Sequence, residues 1–165
     1  LSLNAFSQTF NTGKLLKSGQ FSAGINPVFY EKDLGIFLHG GYGISKKVDL
    51  GVKYGVFDGS DYIGADLEWA MKGGKRYTLS LITGAHMVND LGLDAGACIS
   101  FNLGTSAVFF TGVDADLEFG NDFQHYIWIP LGVELSWKGR MSIILEGDLP
   151  MSEWAWNILG GGVAF

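Results

Sequence analysis

Three observations predict a closed, antiparallel, up-and-down transmembrane β-barrel of about ten strands. Apolar and polar residues alternate with period two along almost the whole chain, while the 3.6-residue period of a helix is nearly absent. Charge within the strands falls on only one of the two faces that this alternation defines. Glycine, 25 of 165 residues and about twice the usual ~7%, gathers on that same face.

Length and composition set the frame. A chain of 165 residues is one domain's worth and long enough to bury a sizeable core. Apolar residues make up 47%, the mean hydropathy is +0.21 and charged residues are only 17%, where ~25% is ordinary. The longest stretch free of charged and strongly polar residues is about eight, Tyr126 to Val133, far short of the ~18 a membrane helix needs. A net charge of −6 with no basic domain excludes a nucleic-acid binder. Cys98 is the only cysteine, which excludes a disulfide framework or a cysteine metal cluster. No signal-peptide pattern opens at Leu1, so a cytosolic or an already processed chain is expected.

The elements follow in order. Residues 1–18 lack regular alternation and are read as a separate N-terminal segment, whether strand, helix or plug; 19–165 are read as the barrel. Phe21, Ala23, Ile25, Pro27 and Phe29 alternate with Ser22, Gly24, Asn26 and Val28. After a turn at Glu31-Lys32-Asp33 comes a second alternating run, from Leu34 to Tyr42. Val48 to Val56 and Ile63 to Met71 follow. Further segments lie near 76–87, 91–103, 105–119, 123–137, 140–149 and 154–165, each bounded by Gly, Asn, Asp, Ser or Lys turns. Short connections make this an antiparallel meander, and closing it removes the exposed edges. Eight or twelve strands are the neighbouring counts.

The charges say which face points inward. Turns hold Glu31, Asp33, Asp58, Asp61, Asp90, Asp122 and Glu153. All other carboxylates sit on the polar face: Asp49, Asp66, Glu68, Asp94, Asp114, Asp116, Glu118, Glu134, Glu146 and Asp148. No Asp, Glu, Lys or Arg falls on the apolar face. Lipid demands such a face, since a charge at mid-bilayer costs about 2–4 kcal/mol in a barrel. A soluble barrel packing its apolar face inward is the competing arrangement, and glycine argues against it. A solvated exterior favours Lys, Thr and Glu, because glycine weakens a strand and packs nothing; a crowded concave interior has a use for it.

The turns add an independent signal. Lys14, Lys17, Lys46, Lys47, Lys72, Lys75, Arg76, Lys138 and Arg140 cluster in every second connection, and the turns between, such as Asp58-Gly-Ser-Asp61, are acidic. A meander sends alternate turns to opposite ends, so one rim is basic and the other acidic.

With these features the chain resembles the bacterial outer-membrane β-barrel proteins over roughly 20–165. Trp69, Tyr77, Phe101, Phe119, Phe123 and Trp137 fall near strand ends on the apolar face, as an aromatic girdle requires. Phe165, Val163 and Gly160 fit the family's C-terminal pattern of a final aromatic, an apolar residue two before it and Gly five before it; Ile158 departs from the polar residue expected seven from the end. The resemblance implies outer-membrane lipids as surroundings, insertion by the outer-membrane assembly machinery, and termini and basic turns in the periplasm. The acidic turns then face anionic lipopolysaccharide with only Lys32 as counter-charge, so divalent cations bridging the two at the acidic rim are expected, unless the strand count is off by one and the orientation inverts. The outer turns are also short for the family.

The inward residues carry the functional expectation. Asp94, Asp114, Asp116, Glu118, Glu146, Asp148, Asp66, Glu68 and Glu134, with His86 and Lys53, are expected to line the lumen. Asp114, Asp116 and Glu118 form a ladder on one strand, ~6.8 Å apart on one face, and Asp94, Glu146 and Asp148 are expected toward the same end. The inward carboxylates face only Lys53, His39 and His86, with Arg76 at the rim. Crowded like charges must be hydrated, protonated or neutralised by cations, which favours a narrow pore for small cations or polar solutes. A barrel filled by its own side chains is the alternative: Phe37, Tyr62, Phe110, Tyr126 and Trp128 also point inward and would plug it, leaving a non-conducting structural or binding barrel or an assembly component. An enzyme is not expected, because no Ser is placed beside His86 or His125. Three scattered histidines predict no metal centre. Cys98 reads as an inert lumen residue, His125 as part of the aromatic belt, and no cofactor motif is present.

Overall fold

A computed structural model describes residues 11–30, 33–120, 123–137, 141–153, 155 and 157–165. Ten strands follow one another: β1 (Phe21–Tyr30), β2 (Asp33–Gly43), β3 (Val48–Phe57), β4 (Ser60–Gly73), β5 (Tyr77–Met87), β6 (Leu91–Asn102), β7 (Ala107–Phe119), β8 (Phe123–Trp137), β9 (Met141–Pro150) and β10 (Ile158–Ala164). Each pairs antiparallel with its sequence neighbours, and β1 pairs with β10 to close the barrel. Among the described residues no helix is long and apolar enough to cross a membrane; the strands carry the apolar surface instead.

The period-two pattern becomes an inside and an outside. Ile25, Leu38, Val52, Ile63, Leu81, Leu93, Val113, Leu131, Leu145 and Leu159, one from each strand in turn, stand exposed around the barrel. Trp69, Phe101, Phe119, Phe123 and Trp137 are also exposed near strand ends. Inside lie Asp66, Glu68, His86, Asp114, Asp116, Glu134, Glu146 and Asp148, all buried. A water-soluble protein has no reason to expose this apolar surface on every strand; a transmembrane barrel requires it.

Glycine makes room for the interior. A Cβ on Gly92 would overlap the His86 ring, one on Gly132 the Phe110 ring, and one on Gly162 the Asn26 side chain. Gly24 stands in the same relation to His39, and Gly35 to Phe57. Large inward side chains thus lie across glycines of the adjoining strand, and two large residues side by side would not fit. On the outer face, a Cβ on Gly147 would meet nothing closer than 3.7 Å.

Proline interrupts the ladder twice. Pairing of β1 with β10 skips from Ile25↔Val163 to Val28↔Gly160, across Pro27. Pairing of β7 with β8 skips from Thr111↔Leu131 to Asp114↔Trp128, across Pro130. Proline has no N–H to give a ladder.

One departure from the sequence expectation concerns the last strand. The last strand begins at Ile158, not near 154. Before it the chain turns: the Met151 N–H donates to Ile127 O and the Ala155 N–H to Ser152 O, while Ser152 Oγ accepts from Ile127 N and donates to His125 O. Residues 11–17 form no strand or helix and run into the mouth of the barrel. The turn residues Glu31, Lys32, Asp122, Lys138 and Arg140 and residues 1–10 lie outside the described residues.

Candidate functional site: the barrel lumen

The meander places the starts of β1, β3, β5, β7 and β9 at one mouth and their ends at the other. The first, the terminal mouth, carries Lys46, Lys47, Lys75 and Arg76 in its turns; the second, the acidic mouth, carries Asp58 and Asp90. Between them the lumen has three distinct regions.

At the acidic mouth an aromatic cluster fills one side. Val28, Phe37, Phe57, Tyr62, Tyr126, Trp128, Ala155 and Ile158 are buried together. Phe37 meets Phe57 and Tyr62 edge-on, with ring centroids 5.1 and 5.2 Å away, and Tyr126 stacks on Trp128 at 5.7 Å. Each buried ring contributes about 1.5–3 kcal/mol relative to exposure. Toward the other end Ile82, Cys98, Phe110 and Ile144 pack as a smaller cluster. The inward aromatics named from the sequence are therefore all packed, and Cys98 is a buried free thiol.

Opposite the aromatic cluster, β5, β6 and β7 supply a polar wall. Asp94 pairs directly with Asp116 across β6 and β7, and His86 on β5 faces Gly92 on β6. His86 Nδ1 and Asp94 Oδ1 lie 2.5 Å apart, in hydrogen-bond contact. Its Nε2 lies 3.9 Å from Glu118 Oε1. The imidazole stacks on Tyr62, centroids 5.3 Å apart and planes 17° from parallel. The Tyr126 hydroxyl donates to Gln124 and reaches Glu118 Oε2 at 3.5 Å. Asp114, next inward along the same face of β7, is buried with no hydrogen-bond partner on either carboxylate oxygen.

Midway, Lys53 Nζ pairs with Asp66 Oδ2 at 3.1 Å, and Ser80 Oγ donates to Glu68 Oε1 at 2.6 Å. Asn26 Nδ2 and His39 Nδ1 are 2.7 Å apart. A cavity of about 370 Å³ opens from here to the terminal mouth, lined by His39, Lys53, Asp66, Glu68, Asp49 and Glu134. Residues 11–17 cross this cavity. Asn11 Nδ2 donates to Asp66 Oδ1, Thr12 Oγ1 to Glu134 Oε2, Lys14 Nζ to Glu134 Oε1, and the Leu16 N–H to Asp49 Oδ2.

The named lumen residues all point inward, but they do not form one site. His86, Asp94, Asp116 and Glu118 come together at the acidic mouth. Lys53 and Asp66 pair in the middle. Glu134 stands apart at the terminal mouth, where Lys14, Thr12 and Ser142 serve it. Glu146 sits at the middle of β9, opposite Gly132 and Gly160, and not at the acidic end with Asp94. Lys14 corrects the expected inventory of lumen cations, for it reaches in from outside the strands. The strap Asn11–Leu16, Tyr62 and Ser80 were not singled out as partners of these acids. Lys14 carried the available signal: a basic residue in a segment without alternation, beside a lumen rich in acid.

No family model matches the sequence, and no curated protein does. Solved structures match the fold. The KdgM porin superposes with a TM-score of 0.64 at 6% identity, covering 87% of this chain and 98% of that one. The NanC porin gives 0.62 at 7% identity with the same coverage. A de novo designed transmembrane barrel, TMB2.3, solved by NMR in solution, gives 0.53 at 10% identity, with 90% and 94% covered. The fold is that of small, porin-like outer-membrane barrels.

Proposed function

We propose that this chain is a narrow outer-membrane pore for small cations or small polar solutes, with its termini and basic turns on the periplasmic side. The observation that carries this reading is the excess of buried carboxylate over cation along the lumen. Lys53 is taken up by Asp66 and Lys14 by Glu134. Asp94, Asp114, Asp116 and Asp148 continue the negative wall toward the acidic mouth. Rings of acidic side chains favour cations by direct electrostatics. The porin-like fold and the aromatic residues at strand ends support outer-membrane lipid as the surroundings and the outer-membrane assembly machinery as the route of insertion. Divalent cations at the acidic rim would balance its charge against anionic lipid.

The KdgM porin has been solved in complex with oligogalacturonate, a polyanion. An acid-lined lumen repels a polyanion, so the solute class proposed here is the opposite one. No reaction is assigned to the chain: the His86 ring nitrogens face Asp94 and Glu118, with no serine nucleophile in contact among the described residues.

Purified protein in planar bilayers is expected to give discrete, cation-selective conductance. Neutralising Asp114, Asp116 and Glu118 together, as D114N/D116N/E118Q, should lower both conductance and selectivity. Silent bilayers with verified insertion would overturn the pore. The aromatic cluster at the acidic mouth favours a second reading, a non-conducting structural or binding barrel. Phe37→Ala separates the two. It should raise the conductance of a pore that this cluster narrows, at about 3–5 kcal/mol of stability, and leave a structural barrel silent.

A further inference from the structure

We propose that His86, Asp94 and Asp116 form a binding site for one divalent transition-metal cation, of which Zn²⁺ is the type, just inside the acidic mouth. One ring nitrogen of His86 and one carboxylate oxygen from each aspartate lie within 4.8 Å of one another. Metal donors at ~2.0–2.2 Å from a shared ion stand roughly 3.4 Å apart, so small side-chain adjustments bring the three onto one centre.

The electrostatics call for a cation. Asp94 and Asp116 are directly opposed across β6 and β7, and like charges in that relation destabilise a sheet. Asp114 adds a further buried carboxylate whose oxygens make no hydrogen bond.

A second, independent observation lies on the imidazole itself. His86 is 2% exposed, and its Nε2 is buried without a hydrogen-bond partner. That atom faces Glu118 Oε1 across 3.9 Å, too far for a hydrogen bond; with Nδ1, on the side of Asp94, offered to the ion, Glu118 is the carboxylate placed to orient the ring through its other nitrogen. The ring is already held: Tyr62 stacks on one face, and Gly92 leaves it the space a Cβ would take. Imidazole nitrogen with carboxylate oxygen selects Zn²⁺ and its neighbours over Ca²⁺ and Mg²⁺, which prefer all-oxygen shells. Access is from the acidic mouth, where the Asp94 and Glu118 side chains each retain 12% exposure.

The test uses the full chain folded in detergent micelles, stripped with a chelator and titrated calorimetrically with Zn²⁺, and separately with Ca²⁺ and Mg²⁺. One Zn²⁺ per chain is expected, bound more tightly than either of the others. H86A and D116N should each weaken Zn²⁺ at least about tenfold, while D33N/D58N at the rim leaves affinity unchanged. Co²⁺ should give a visible absorption band that H86A removes. Folding is verified by heat-modifiable gel mobility, and should H86A not fold, the isosteric D116N carries the test. Absence of saturable Zn²⁺ binding to the folded barrel overturns the site, and so does binding that D116N leaves intact but D33N/D58N abolishes. Binding is read without any current, so its failure leaves the pore standing and silent bilayers leave the site standing.

Discussion

Lys14 Nζ lies 2.6 Å from Glu134 Oε1, joining a segment that precedes the first strand to the far wall of the barrel. Glu134 also accepts from Thr12 and Ser142, so this one carboxylate gathers the strap, β8 and β9 at the terminal mouth.

Lys14→Ala should loosen the strap without threatening the fold. The lysine side chain is 47% exposed and Glu134 keeps two other donors, so the loss should be about 1 kcal/mol or less. Urea unfolding in micelles measures it. In bilayers, the same substitution should increase the open fraction of any conductance, because the strap crosses the cavity at that mouth. An unchanged current would show that the strap does not limit passage.

The glycines should divide into two classes. Gly132→Ala forces a Cβ into the buried Phe110 ring and should cost about 1–3 kcal/mol. Gly147→Ala, on the lipid face with 3.7 Å to its nearest neighbour, should stay within about 0.5 kcal/mol of wild type. Equal effects at the two positions would contradict a filled interior. Both are measured as shifts in the urea midpoint of the folded barrel.

Leu145→Arg tests the lipid face directly. Leu145 is 58% exposed at the middle of β9, and an arginine there should cost about 2–4 kcal/mol in a bilayer. Phe123→Arg, at the end of β8, should cost about 0–1 kcal/mol. In a water-soluble barrel both would be neutral. Reversible unfolding in lipid vesicles distinguishes the outcomes.

Strand existence was legible because lipid outside and crowded acid inside impose the same period-two code on β1 through β9. The start of β10 was not, because the run from Trp154 onward reads as part of the strand, whereas the Ala155 N–H donates to Ser152 O and β10 begins only at Ile158. The inward direction of Asp94, Asp116 and His86 follows from parity alone. Their meeting does not, since it depends on the registers of β5 with β6 and of β6 with β7. Counting histidines says nothing of this meeting, whereas register brings two aspartates to one of them. The contacts of Lys14, Thr12 and Leu16 were hidden for another reason. They span more than 30 residues of sequence in each case, and no local pattern encodes a loop crossing a mouth.

The ladder gaps at Pro27 and Pro130 have a mechanical meaning. They divide the wall into two panels, β1–β7 and β8–β10, joined along seams with missing hydrogen bonds. Flexing concentrates where the fewest bonds resist it. An oval distortion of the cross-section can hinge at these seams and leave the ladders within each panel intact. The acid wall of β5–β7 belongs to one panel; Tyr126, Trp128 and Glu134 ride on the other. The aromatic cluster spans both panels, with Phe37, Phe57 and Tyr62 on one and Tyr126 and Trp128 on the other, so a hinge rotation works against its packing.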